Sequence, residues 1–213
     1  MRIFIFAACA ALAACTSAKD LQDPTADLGN FLLGHNVVIA SKAKKGPLSR
    51  DASEEELTTA LKGAIDERFG RYDGTNYFHL GVSVEGYNLA LPGIPIVAAP
   101  KSVLLVNVTV WDDAKNKKMT EKPEQLTVFE SFSGDSIVGS GLTKSKEEQM
   151  KNLAQNAAKQ IEIYLQKNRD WFGDAPAPTS KAGGSKVAPV ATEEPVPPAS
   201  EITPPAAAPA TSG

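Results

Sequence analysis

Apolar residues recur along this chain at two spacings, four and two, and the alternation between those spacings orders its middle. Leu57, Leu61, Ile65 and Phe69 fall every four residues with Ala60 and Ala64 beside them, which predicts a helix with one buried stripe. Ser53 and Glu56 stand ahead of it at capping-box spacing, each able to satisfy a free amide of the first turn, and Gly70 supplies a stop. Met150, Leu153, Ala154, Ala157, Ile161 and Leu165 predict a second helix starting near Ser145, with Glu148 again three residues on. Trp171 and Phe172 are expected to pack under its end.

The two-residue period marks the strands. Asn36-Val-Val-Ile-Ala40 is a short apolar run ended by Lys42, Lys44, Lys45, Gly46 and Pro47. Phe78, Leu80, Val82 and Val84 alternate with polar or small residues, and Leu104, Val106, Val108 and Val110 do the same. Asp112 to Lys118 reads as a polar hairpin connection, and Leu126 and Val128 begin a last strand with Phe129 and Phe132 close behind. A helix between the first two strands makes them parallel, whereas the later connections are short enough for antiparallel pairing. The expected fold is α+β: a two-layer sandwich of a four-stranded mixed sheet in βαβββα order, with both helices on one face.

Composition divides the chain into four parts. Residues 31–173 carry nearly all the aromatic and branched residues and suffice for one core. Residues 174–213 are mostly Pro, Ala, Thr, Ser and Gly, too poor in large apolar side chains to offset ordering entropy, so a disordered tail is expected. Residues 1–14 hold one positive side chain, Arg2, then an apolar run too short for a membrane span, which needs about 20 residues. That is the pattern of a signal peptide. It ends Leu12-Ala13-Ala14-Cys15, which resembles a bacterial lipobox, and the resemblance implies diacylglyceryl transfer to Cys15 and cleavage before it. Residues 15–30 then form a lipidated polar tether. Thr16, in place of an aspartate after the cysteine, implies by the same resemblance the outer membrane, with the body facing the periplasm. Cys9 and Cys15 are the only cysteines, so no structural disulfide is expected. A net charge of −3 with both signs interspersed gives no basic field for nucleic acid.

The leader and the element order together resemble small Gram-negative envelope lipoproteins, including the lipopolysaccharide-assembly lipoprotein and the auxiliary lipoproteins of lipid-transport ABC systems. Ile137 to Met150 and Asn156 to Ile161 resemble uncharacterised alphaproteobacterial lipoproteins. The resemblance implies a fold and a compartment and carries over no functional residue.

No complete catalytic set is present, so the expected protein is not an enzyme. Gly134-Asp-Ser136 matches an esterase triplet, but the only histidines, His35 and His79, lie upstream of it. Gly139 to Ser145 lacks the glycine a phosphate-binding loop needs directly before its lysine. The two histidines have no cysteine or paired carboxylate at ligand spacing, so neither a metal nor another cofactor is expected. Asp112 and Asp113 read as a solvated turn.

Two surfaces are candidates for contact. The connection Asn88 to Pro100 is almost wholly apolar, with Leu89, Leu91, Pro92, Ile94, Pro95, Ile96 and Val97, and its prolines forbid a regular helix or inner strand. It either folds back over the open end of the sheet or docks onto a partner or membrane. The uncovered sheet face offers Tyr77, Tyr87 and Trp111 with Asn107 and Thr109, a mixture suited to a partner interface. The expected role is that of a non-enzymatic, lipid-anchored periplasmic accessory or binding protein in envelope assembly or lipid transport, with a membrane and an envelope protein as partners. The alternative is a structural tether reaching the cell wall through its Pro-rich tail.

Overall fold

The computed structural model describes Ala18 and residues 20–91, 102–131 and 144–175. All of these belong to a unit ending at Pro178; a second unit, Thr179–Gly213, lies outside the described residues, as do the leader, Cys15 and most of the expected tail. The elements are β1 (Phe31–Ile39), β2 (Lys44–Lys45), α1 (Glu54–Phe69), β3 (Asn76–Asn88), β4 (Val103–Asp112), β5 (Lys117–Lys118), β6 (Glu124–Phe129) and α2 (Lys146–Lys167). Among the described residues no helix is long and apolar enough to cross a membrane.

The sheet is mixed and has six strands, not the expected four. β1, β3, β4 and β6 are its long members; β2 and β5 are two-residue additions at Lys-Lys pairs, too short to leave a periodic signal. β1 runs parallel to β3, and β4 pairs antiparallel with both β3 and β6. β1 also begins at Phe31, five residues before the predicted start. A bulge between Leu33 and Asn36 breaks its alternation, so the strand cannot be read as a single period-two run.

Both helices start on complete capping boxes, Ser53 with Glu56 and Ser145 with Glu148. Their predicted stripes are buried, and they pack on the sheet face carrying Phe78, Leu80, Val82, Val84, Leu104, Val106, Val108 and Val110. Asn36 occupies a core-facing position and donates to the Lys62 carbonyl (3.0 Å) and Asp66 Oδ1 (2.9 Å), tying β1 to α1. At one end of the core Phe31 stacks on Phe78 at 5.8 Å, and Phe172 meets both rings edge-on at 5.3 and 4.8 Å.

Of the expected tether, Ala18 and residues 20–30 are described and are seated on this body. Leu28 is buried, Gly29 takes a positive φ of 63° beside the Gly173 carbonyl, and the Asn30 amide donates to that carbonyl (3.1 Å). Asp20–Gln22 forms a 3-10 turn held by an ion cluster between the helices. Arg68 of α1, almost wholly buried, donates to Glu162 of α2 (2.9 Å), to Asp20 Oδ1 (2.6 Å) and to the Ala18 carbonyl (3.2 Å). Lys159 bridges Asp20 (2.6 Å) and Glu162 (2.8 Å), and Tyr72 donates its hydroxyl to Glu162 (2.7 Å). Arg71 holds the carbonyls of Leu21 (2.7 Å) and Asp23 (3.0 Å). Removing one partner of the fully buried Arg68–Glu162 pair costs about 3–5 kcal/mol, because the other charge is left without compensation, whereas the partly exposed Asp20 is worth less.

Burial alone would push the Asp20 carboxyl up, but hydrogen bonds and charge from Arg68 and Lys159 outweigh it and bring the group from 3.8 to about 2. Burial also raises Glu162, and Lys159, Tyr72 and Arg68 together hold it below its ordinary 4.5. Both groups are depressed in the folded state. Their stabilisation is therefore complete above pH 4.5 and is lost as pH falls toward about 2. Asp20→Asn should lower stability at neutral pH by about 1 kcal/mol, allowing for solvent screening, and flatten this acid limb. Urea unfolding from pH 7 to pH 2 measures both; an acid limb as steep as the parent's would contradict the assignment. In contrast, Gly63 in α1 has open space where a Cβ would point. Gly63→Ala should raise stability by about 0.5–1 kcal/mol in the same assay.

Candidate functional site: a trough on the open sheet face

The face of the sheet opposite the helices is uncovered among the described residues. Strand pairing sets Val37, Gly81 and Thr109 in one row across β1, β3 and β4, and Ile39, Ser83 and Asn107 in the next. The middle strand thus carries its smallest residues where both neighbours carry larger ones. The result is a shallow trough of about 330 Å³ over β3, walled by Val37 and Ile39 on one side and by Asn107, Thr109 and Trp111 on the other. Glu85 and Pro123 complete its lining. A Cβ at Gly81 would come no nearer than 3.9 Å to Thr109, so the glycine leaves space rather than relieving a clash.

Val37, Ile39, Tyr77, Trp111 and Phe129 are 43–57% exposed on strands whose next residues are core. Scattered exposed apolar groups are ordinary, whereas Val37, Ile39 and Trp111 line one concavity that a partner can cover; Tyr77 and Phe129 stand outside it on the same face. Tyr77 and Trp111 stand on this face. Tyr87 does not. A bulge between Val84 and Gly86 shifts the register by one, turning Tyr87 into the core, where its hydroxyl accepts from the Ala52 amide (3.2 Å) and donates to the Ala52 carbonyl (3.1 Å). Val37, Ile39 and Phe129 were absent from the predicted face. The run Val37-Val38-Ile39 shows no alternation in hydropathy, so its outward members carry no sequence signal.

The parallel β1–β3 pairing brings the two histidines together, their rings 4.8 Å apart, although they are 44 residues apart in sequence. The His35 amide donates to His79 Nδ1 (2.8 Å), which places the proton on Nε2, facing Asp113 Oδ1 at 2.9 Å. Both ring nitrogens are thus engaged within the fold. The described residues hold no group of three or more His, Cys, Asp or Glu placed to bind a metal ion. The neighbouring carboxylates are likewise structural rather than merely solvated. Asp112 is buried and accepts from the Lys115 amide (3.0 Å) and ammonium (2.7 Å), closing the hairpin, while Asp113 orients His79.

Of the apolar connection, Leu89 and Leu91 are described, and Pro92, Ile94, Pro95, Ile96 and Val97 lie outside the described residues, as do Gly134 and Ser136. Leu89 is buried in the core, and Ala90 bridges Ser49. Gln149 of α2 donates to the Ala90 carbonyl (3.2 Å), and Ser102 Oγ accepts from the Ala90 amide (3.2 Å). The root of the connection is therefore anchored in the body on both sides.

No protein-family model matches the chain, and no curated protein does either. Among solved structures it is similar to the minor lipoprotein of Acinetobacter baumannii, at 18% identity over 67% of this chain and 97% of that one, with a TM-score of 0.30. It is also similar to a Xanthomonas campestris protein of the DUF330 family, at 12% identity over 67% and 88% of the two chains, with a TM-score of 0.39. A third is PelC of Paraburkholderia phytofirmans, solved as a dodecamer, at 10% identity over 65% and 91%, with a TM-score of 0.35. At these values the likeness assigns no ligand, partner or site residue to this chain.

The packing of the histidines makes a direct test. A Cβ on Gly34 would lie 2.4 Å from His79 Nδ1, inside contact distance. Gly34→Ala should therefore displace the imidazole and cost about 1–3 kcal/mol. The imidazole shifts of His79 by NMR and the denaturation midpoint report the two effects; unchanged shifts and midpoint would contradict the geometry.

Proposed function

We propose that this chain is a non-enzymatic, lipid-anchored envelope lipoprotein of the outer membrane, facing the periplasm. It serves as an accessory or binding subunit in envelope assembly or lipid transport. The observation that carries the binding role is the trough over β3. It is a concave, largely pre-formed surface with an apolar wall, an aromatic end at Trp111 and hydrogen-bonding groups at Ser83, Asn107 and Thr109. Its dimensions follow the strands, which suits an extended segment of an envelope protein. The anchor is read from Leu12-Ala13-Ala14-Cys15. Two or three acyl chains on that one cysteine would hold the protein stably, where one chain holds only reversibly.

Gly81→Ile separates this role from folding. The new side chain fills the trough, and β-branched residues suit a strand interior better than glycine does, so stability should hold or rise. A photo-reactive residue at Thr109, activated in intact cells, should form a discrete adduct with an envelope protein, and Gly81→Ile should abolish that adduct. Removal of residues 179–213 should leave it intact. No adduct, or one indifferent to Gly81→Ile, would contradict the proposal. Loss of envelope attachment on removal of 179–213 alone would favour the structural tether.

A further inference from the structure

The ion cluster that seats Ala18 and Asp20–Gln22 also decides which side of the body can meet a lipid surface. Followed backward in sequence, the chain climbs along α1. The carbonyls of Asp23 and Leu21 rest on Arg71; Asp20 and the Ala18 carbonyl rest on Arg68, three residues nearer the helix N-terminus. Asp20 also reaches Lys159 of α2. The two helices run side by side in the same direction, since Glu56 pairs with Lys146 near their starts and Arg68 with Glu162 near their ends. Ala18 thus lies at the cleft between α1 and α2. Further up the same cleft, one to two turns away, the helices leave a groove of about 620 Å³ whose small and apolar residues, Ala60, Gly63, Ala64 and Met150, are accompanied by the carboxylates of Glu55, Glu56, Glu67 and Glu147.

Two residues, Thr16 and Ser17, lie between Cys15 and Ala18, so over three Cα–Cα steps the sulfur-bearing residue stands at most about 11 Å from a point fixed on the body. The trough lies on the far side of the sheet, beyond a helix of roughly 10–12 Å diameter and the sheet itself. A leash this short cannot pass around the body. We infer that, with Cys15 acylated as proposed above, the helix layer and its groove face the lipid surface, and the trough is turned toward the aqueous compartment. The occupant of the helical face is the bilayer that holds the anchor. The Arg68 cluster is then an orienting device, converting a single-point attachment into a defined presentation of the binding face.

The test uses the acylated full-length chain in phosphatidylethanolamine–phosphatidylglycerol vesicles containing head-group nitroxide lipid. A fluorophore is placed on Lys151→Cys in the helix layer or on Thr127→Cys on the open sheet face. The helix-layer probe should be quenched on the order of threefold more than the sheet probe. A flexible Gly-Ser insertion of about twelve residues between Ser17 and Ala18, spanning roughly 20 Å, should erase the difference while binding persists. Vesicle-bound protein with equal quenching at the two probes, or the reverse order, would overturn the orientation and leave the anchor standing. A chain whose mass shows no acyl groups and which floats free of vesicles would overturn the anchor, and the orientation with it.

Discussion

A guanidinium taken out of water between two helices is the constraint around which this molecule is organised. Arg68 is buried to within 1% of its surface, and so is Glu162 opposite it. Such a pair is tolerable only when every polar group finds a partner at good geometry. Here Asp20, Lys159, Tyr72 and the Ala18 carbonyl supply the partners, so the segment before β1 becomes part of the electrostatic solution rather than an appendage. The cluster links α1, α2 and the start of the body in one step. It also fixes the point from which any N-terminal attachment must act.

The sheet contributes the second half of the account through two irregularities. The bulge after Leu33 turns Asn36 inward onto α1 and sends Val37 and Ile39 outward, which builds one wall of the trough. The bulge after Val84 removes Tyr87 from the open face and spends it as a core side chain hydrogen-bonded to Ala52. Between them, Gly81 and Ser83 keep the floor low. The trough is therefore made by register and residue size, while the buried Arg68–Glu162 ion pair lies in the opposite layer.

Much of this was legible in the residues. Capping boxes at Ser53 and Ser145 and four-residue stripes located both helices, because local hydrogen bonds and periodic burial act within one turn or two. The inward faces of β3 and β4 followed from alternation for as long as the strands stayed regular. What escaped is what depends on partners far along the chain. Arg68 and Glu162 lie 94 residues apart and look, one by one, like solvated helix charges. His35 and His79 meet only because β1 and β3 pair in parallel. Bulges are invisible to a period-two reading, so Tyr87 was placed on the wrong face and Val37 and Ile39 were missed; Phe129 sits on a regular strand that pairs with β4.

The central claim is that the chain from Ala18 to Asn30 belongs to the folded body through the Arg68 cluster, and amide hydrogen exchange by NMR tests it most directly. The amides of Asp23, bonded to the Asp20 carbonyl, and Asn30, bonded to the Gly173 carbonyl, should be protected in the intact protein. In Arg71→Ala they should lose protection together while the β3 and β4 amides keep theirs. Exchange of Asp23 and Asn30 at the rate of an unstructured peptide in the parent protein would contradict the account.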